Sequence, residues 1–154
     1  MEQHESAGPG SDPEQVGLSF LTLAYTLREE VDQRMLAIAG LSLSRTKVLQ
    51  ALAGRGALHQ AELAASLGQA PRSVTQIVEG LERLGMVTRT GDPEDRRRKT
   101  VTLTETGRTA LAAAEEAGTH ALRQYFGSLE PHQLATLDTL LTHLDIAVTG
   151  DMTG

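Results

Sequence analysis

Apolar residues recur along this chain with a helical period, interrupted once by a short alternating stretch. Leu18, Leu21, Tyr25, Val31, Met35 and Ile38 repeat at helical spacings from Val16 onward, and Gly40 offers a stop. Two shorter amphipathic segments follow. Ser44 to Ala53 turns Val48, Leu49 and Leu52 inward, and His59 to Leu67 turns Leu63, Ala64 and Leu67 inward before Gly68. A fourth helix opens at Pro71, where the missing N–H is harmless, and carries Val74, Ile77, Val78, Leu81 and Leu84 as one stripe up to Gly85. Ala70, without a capping oxygen, and Gly80, inside the helix, should each cost about 1 kcal/mol. The period then switches to strand alternation at Met86–Arg89 and Thr100–Leu103, separated by the turn-rich GDPEDRRRK. Thr104 is the expected N-cap of a long fifth helix carrying Leu111, Leu122, Tyr125, Phe126 and Leu129. In a sixth, from Pro131, Leu134, Leu137, Leu141, Leu144 and Val148 form a coiled-coil-like seam.

This order predicts a mainly α protein with a small β-ribbon. The central unit is three short helices plus the ribbon, flanked by longer helices. The expected layout is an arm over 1–13, an N-terminal helix over 14–40, a central region over 41–104, C-terminal helices over 105–148 and a flexible tail over 149–154.

Composition narrows the chemistry. The 154 residues contain no cysteine, which excludes disulfides, thiolate metal sites, cysteine nucleophiles and thiol switches. Leu and Ala number 23 and 19, against 8 Val and 3 Ile, in keeping with a helical core. The opening MEQHESAGPGSDPEQ has neither a basic nor an apolar region, and no apolar run approaches membrane-spanning length, so the expectation is a cytoplasmic chain without membrane contact. The formal net charge of −6 conceals an asymmetry: residues 41–104 hold ten basic and six acidic side chains, the remainder four and fourteen. The basic surplus sits on the central unit.

Two short helices around a Gly-containing turn (HQAELAASL, Gly68-Gln69-Ala70, PRSVTQIVEGLERLG) form the helix-turn-helix pattern, whose second helix enters a DNA major groove. Arg72, Ser73, Thr75 and Gln76 lead that helix away from its apolar stripe and are the candidate base or phosphate contacts. Arg96, Arg97, Arg98 and Lys99 at the ribbon tip, with Arg89 on the preceding strand, suit a minor groove. Asp95 is expected to orient Arg97 by pairing with its guanidinium.

The stretch from LSLSRTKVLQAL to DPEDRRRKTVTLTETG resembles the winged-helix core of MarR-type bacterial transcriptional regulators. Asp95 and Arg97, followed by Leu103, Thr104 and Gly107, match the wing signature of that family; Glu62–Gly68 and Val78–Val87 match its helical strings. The resemblance extends over about residues 16–147. It implies a homodimer joined through its terminal helices and bound to a pseudo-palindromic operator on double-stranded DNA. Most members repress, and many release DNA when a small aromatic or phenolic effector binds. Leu18, Leu21, Tyr25, Leu134, Leu137, Leu141 and Leu144 are the candidate dimer contacts, and Met35 and Thr46 the candidate pocket residues. Thr46 replaces a common aromatic of the family, and Ala70 replaces its Ser.

Other readings are a winged helix used only for protein contact and a metal-responsive regulator. For a metal, Glu116 and His120 lie one helical turn apart, with His4, His59, His132 and His143 elsewhere, but no H-x₃-H or clustered set appears. No Gly-rich phosphate loop, G-x-S-x-G elbow or HExxH occurs, so neither an enzyme nor a cofactor is expected.

Overall fold

The computed structural model describes residues 10–150. Among the described residues, six helices and three strands run in the order α1 (Pro13–Ala39), α2 (Leu43–Arg55), β1 (Leu58–His59), α3 (Gln60–Leu67), α4 (Pro71–Arg83), β2 (Val87–Gly91), β3 (Lys99–Leu103), α5 (Glu105–Phe126) and α6 (Pro131–Gly150). The protein is mainly helical with a small antiparallel sheet, a winged helix between long terminal helices.

Most boundaries follow local chemistry. The Asp12 carboxylate accepts from Glu14 N–H at the start of α1, and Gly40 closes that helix at φ 69°. Ser42 caps α2 through Arg45 N–H, and Thr104 caps α5 through Gly107 N–H. Ala70 makes no side-chain cap at α4, as its methyl requires. The two end segments differ from expectation. Helix α1 already starts at Pro13, inside the expected arm, and α6 runs through Gly150, inside the expected tail. The rest of the arm, residues 1–9 with His4, and of the tail, residues 151–154, lie outside the described residues. Leu129 falls beyond α5, which ends at Phe126.

The ribbon gains a strand that periodicity does not reveal. β1 pairs with β3 through Leu58↔Val101 and His59↔Thr100, giving the sheet order β1-β3-β2. Two residues are too few to carry an alternating pattern. His59 therefore belongs to a strand and to the N-cap of α3 rather than to the helix itself.

One buried cluster joins the winged helix to its flanks. Leu41, Val48, Leu49, Leu63, Val74, Val78, Leu81 and Val101 are fully enclosed, and Ala114, Ala117 and Ala121 bring α5 against Val31 and Met35 of α1. Gly107 is required at the junction: a Cβ there would collide with the Met86 carbonyl oxygen, so α5 could not start this close to β2. Across α1 and α5, Tyr125 O–H donates to Glu30 (3.2 Å) and Arg34 lies 5.1 Å above the Tyr125 ring.

The terminal helices leave much of their apolar surface uncovered. In α6 no residue is buried; Leu134, Leu141 and Leu144 are exposed and Leu137 is half-buried. In α1, Leu18, Leu21 and Tyr25 are 56%, 64% and 69% exposed. Among the described residues, no helix is long and apolar enough to cross a membrane.

Candidate nucleic-acid interface

The helix-turn-helix is built by α3 and α4. His59 N–H donates to the Glu62 carboxylate (3.1 Å), which starts α3. Gly68, at φ 62°, ends it, with Gln69 N–H bonded back to Ala64 O (3.1 Å). Val74, Val78 and Leu81 bury one face of α4. On the opposite face Arg72, Ser73 and Gln76 are exposed. Thr75 is not free in the same way. Its hydroxyl donates to Pro71 O (2.9 Å) and accepts from Gln60 Nε2, so it is half-buried and locks α3 to α4.

Arg89 is likewise engaged within the protein. Its guanidinium bonds Glu82 through Nη2 (3.0 Å) and Nε (3.3 Å) and lies 3.9 Å from Glu79, with a side chain 17% exposed. The hydrogen bond from Arg89 holds the Glu82 carboxyl below its ordinary value of 4.5, and the same bond raises the Arg89 guanidinium. Arg89 therefore pins β2 to the end of α4. Sequence reading missed Glu82 as its partner. The two are separated by the Gly85 turn, and a carboxylate and an arginine on either side of a tight reversal are the available signal.

At the tip, Arg96, Arg97, Arg98 and Lys99 are exposed, and none forms an ion pair among the described residues. The nearby carboxylates act on the backbone instead. Asp92 accepts from Glu94 N–H (2.9 Å), and Asp95 accepts from Arg97 N–H (2.9 Å) while its carbonyl takes Arg98 N–H (3.0 Å). Asp92 N–H closes the loop onto Arg98 O (3.0 Å). The expected side-chain pairing of Asp95 with the Arg97 guanidinium is absent. Asp95 shapes the turn that presents Arg97 and leaves its guanidinium available. A cleft of about 840 Å³ separates α4 from this tip, with Gln60, Thr75 and Glu79 on one wall and Arg97, Arg98 and Lys99 on the other.

Away from this edge, a second depression of about 400 Å³ lies between α1, α2 and α5 and includes both expected pocket residues, Met35 and Thr46. Thr46 is buried with its hydroxyl donated to Ser42 O (2.8 Å), and the Met35 sulfur would stand 3.3 Å from a Cβ at Gly118. Gln50 and Glu115, 3.4 Å apart, reach across from α2 to α5. Among the described residues, no three His, Cys, Asp or Glu side chains are grouped to hold a metal ion.

A helix-turn-helix followed by a hairpin with a cationic tip defines a winged-helix protein. Residues 39–98 match the sequence profile of the MarR family. A candidate transcriptional regulatory protein for the hcr operon of Thauera aromatica is 32% identical over 97 residues, which is 63% of this chain. The aligned part spans 58% of the length of that relative and of an uncharacterized HTH-type transcriptional regulator of Bacillus subtilis. Among solved structures, a MarR family transcriptional regulator of Streptomyces coelicolor in complex with DNA superposes with a TM-score of 0.71 at 26% identity, covering 87% of this chain and 86% of its own. BpsR of Bordetella bronchiseptica, whose DNA binding is regulated by 6-hydroxynicotinic acid, gives 0.69 at 26% identity, covering 85% and 98%.

Proposed function

We propose that this chain is a transcriptional repressor that binds a pseudo-palindromic operator as a homodimer and is released by a small-molecule effector. One observation carries the DNA reading. The wing tip exposes Arg96, Arg97 and Arg98 without ion pairs among the described residues, and α4 exposes Arg72, Ser73 and Gln76 on the side away from its buried stripe. In this reading Arg72, Ser73 and Gln76 face the major groove, and Arg96, Arg97 and Arg98 reach the adjacent minor groove. Arg89, Thr75 and Asp95 hold those side chains in place. The uncovered stripes of α1 and α6 are the dimer surface, and the relative solved with DNA supports the overall mode. The depression at Met35 and Thr46 is the effector site, a reading supported by the ligand-regulated relative.

The test is fluorescence anisotropy of the purified chain with a duplex from its own promoter region and with a scrambled duplex, over a salt series. The promoter duplex should bind more tightly, and affinity should fall steeply with salt as condensed counterions are released. Arg97→Ala should weaken binding about tenfold or more without lowering the melting temperature. Equal affinity for both duplexes would remove the repressor reading.

A further inference from the structure

A helix seated in the major groove lies between two phosphate ridges, because the groove, about 12 Å wide, is little wider than a helix of about 10–12 Å. The wing supplies cations on one flank of α4. On the other flank is a groove of about 400 Å³ lined by Ser42, Ser44 and Arg45 of the α2 start and by Gln69, Ser73 and Gln76 of the turn and α4. Gln76 and Ser73 are exposed on the face that the DNA reading turns toward the bases, so this groove opens beside that face.

Arg45 is the one charged group on its walls. No carboxylate lies within ion-pair distance of it among the described residues. Its side chain lies across Gly80: an added Cβ there would stand 2.7 Å from Nη2 and 3.4 Å from Cζ. The mid-helix glycine, expected to be a weakness of α4, is thus the position over which α2 lays its guanidinium. Arg45 is half-buried, so part of its lost rotamer freedom is already given up before any ligand arrives.

We infer that Arg45, laid over Gly80 and flanked by Ser44 and Gln69, is a phosphate clamp on the duplex strand opposite to the one the wing engages. It grips backbone rather than bases, so it contributes to affinity for any sequence. This rests on the DNA-binding reading above.

The experiment measures anisotropy of the full chain and its variants with the promoter and scrambled duplexes over a salt series. Arg45→Ala should lose about tenfold in affinity on both duplexes alike, with the salt slope reduced by about one. Arg45→Lys should recover most of the loss. Gly80→Ala keeps the cation and favours the helix, but pushes the guanidinium off its seat; it should bind at least about threefold more weakly with an unchanged or higher melting temperature. If Arg45→Ala lowers the melting temperature, Gly80→Ala decides: a loss of affinity supports the clamp and wild-type affinity overturns it. Unchanged affinity and slope in Arg45→Ala, or a loss confined to the promoter duplex, would also overturn it while leaving the DNA reading intact. Failure of the wild-type chain to bind either duplex would remove both.

Discussion

Two arginines a few residues apart, Arg89 and Arg97, have opposite situations. Arg89 is enclosed by Glu82 and Glu79, whereas the Arg97 guanidinium has no carboxylate partner among the described residues. The enclosed pair carries a pH dependence with a definite sign. The Glu82 carboxyl is held below its ordinary value of 4.5, so the folded state favours its ionised form. That contribution is fully present above about 4.5 and is lost as pH falls through the lower folded-state value. Exposure of Glu82 keeps the effect small. Glu82→Gln should therefore lower the melting temperature at pH 7 by about two degrees. The gap to wild type should narrow in thermal scans as pH falls below about 4.5. A gap that stays constant down to pH 3 would mean that the pair does not hold β2.

At the scale of elements, the wing resolves an oddity of its composition. Three carboxylates beside a cationic tip weaken its field, yet two of them, Asp92 and Asp95, fold the turn by accepting backbone N–H groups. Charge and geometry make opposite predictions here, and two substitutions separate them. Asp95→Asn keeps an acceptor oxygen and removes the negative charge, so it should bind duplex DNA at least as tightly as wild type. Asp95→Ala removes both, and should bind about threefold to tenfold more weakly because Arg97 and Arg98 are no longer presented by an ordered turn. Titrations of both variants at one salt concentration make the comparison. Tighter binding by Asp95→Ala would show that charge outweighs turn geometry. The same tension is absent at the junction of β3 and α5. There Thr104 donates to Gly85 O (2.6 Å) and accepts from Gly107 N–H (3.0 Å), binding the wing to the helix that follows.

For the whole molecule, the decisive feature is apolar surface with nothing over it. The exposed face of α6 runs from Leu134 through Leu140, Leu141 and Leu144 to Val148, and α1 adds Leu18, Phe20, Leu21 and Leu23. Continuous apolar stripes of this extent mark an interaction surface. A second copy of the chain is the occupant that would also set two recognition helices about one DNA turn apart, roughly 34–36 Å. Leu141→Glu combined with Leu144→Glu would place charge in that contact, whose desolvation is strongly unfavourable. Sedimentation at micromolar concentration should show a dimer for the wild type and a monomer for the variant. Promoter affinity should fall at least about hundredfold, since one half-site supplies only half the contacts. A dimer that persisted would place the interface elsewhere.

Much of this architecture was legible residue by residue. The helices, the hairpin and most caps follow from apolar periodicity and from Gly, Pro, Ser and Thr at the breaks, because these signals act over one or two turns of chain. The basic surplus of residues 41–104 and the wing motif ending in Gly107 pointed to DNA for the same local reason. The packing beneath was not legible. Which cations are free and which are spent depends on partners brought together from different elements: Glu82 beside Arg89, Gln60 beside Thr75, Gly80 beneath Arg45. The β1 strand exists only because β3 lies alongside it. The sequence by itself determined the elements and the sign of the charge. The tertiary structure decided which side chains remain available, because hydrogen bonds and ion pairs are satisfied in space rather than along the chain.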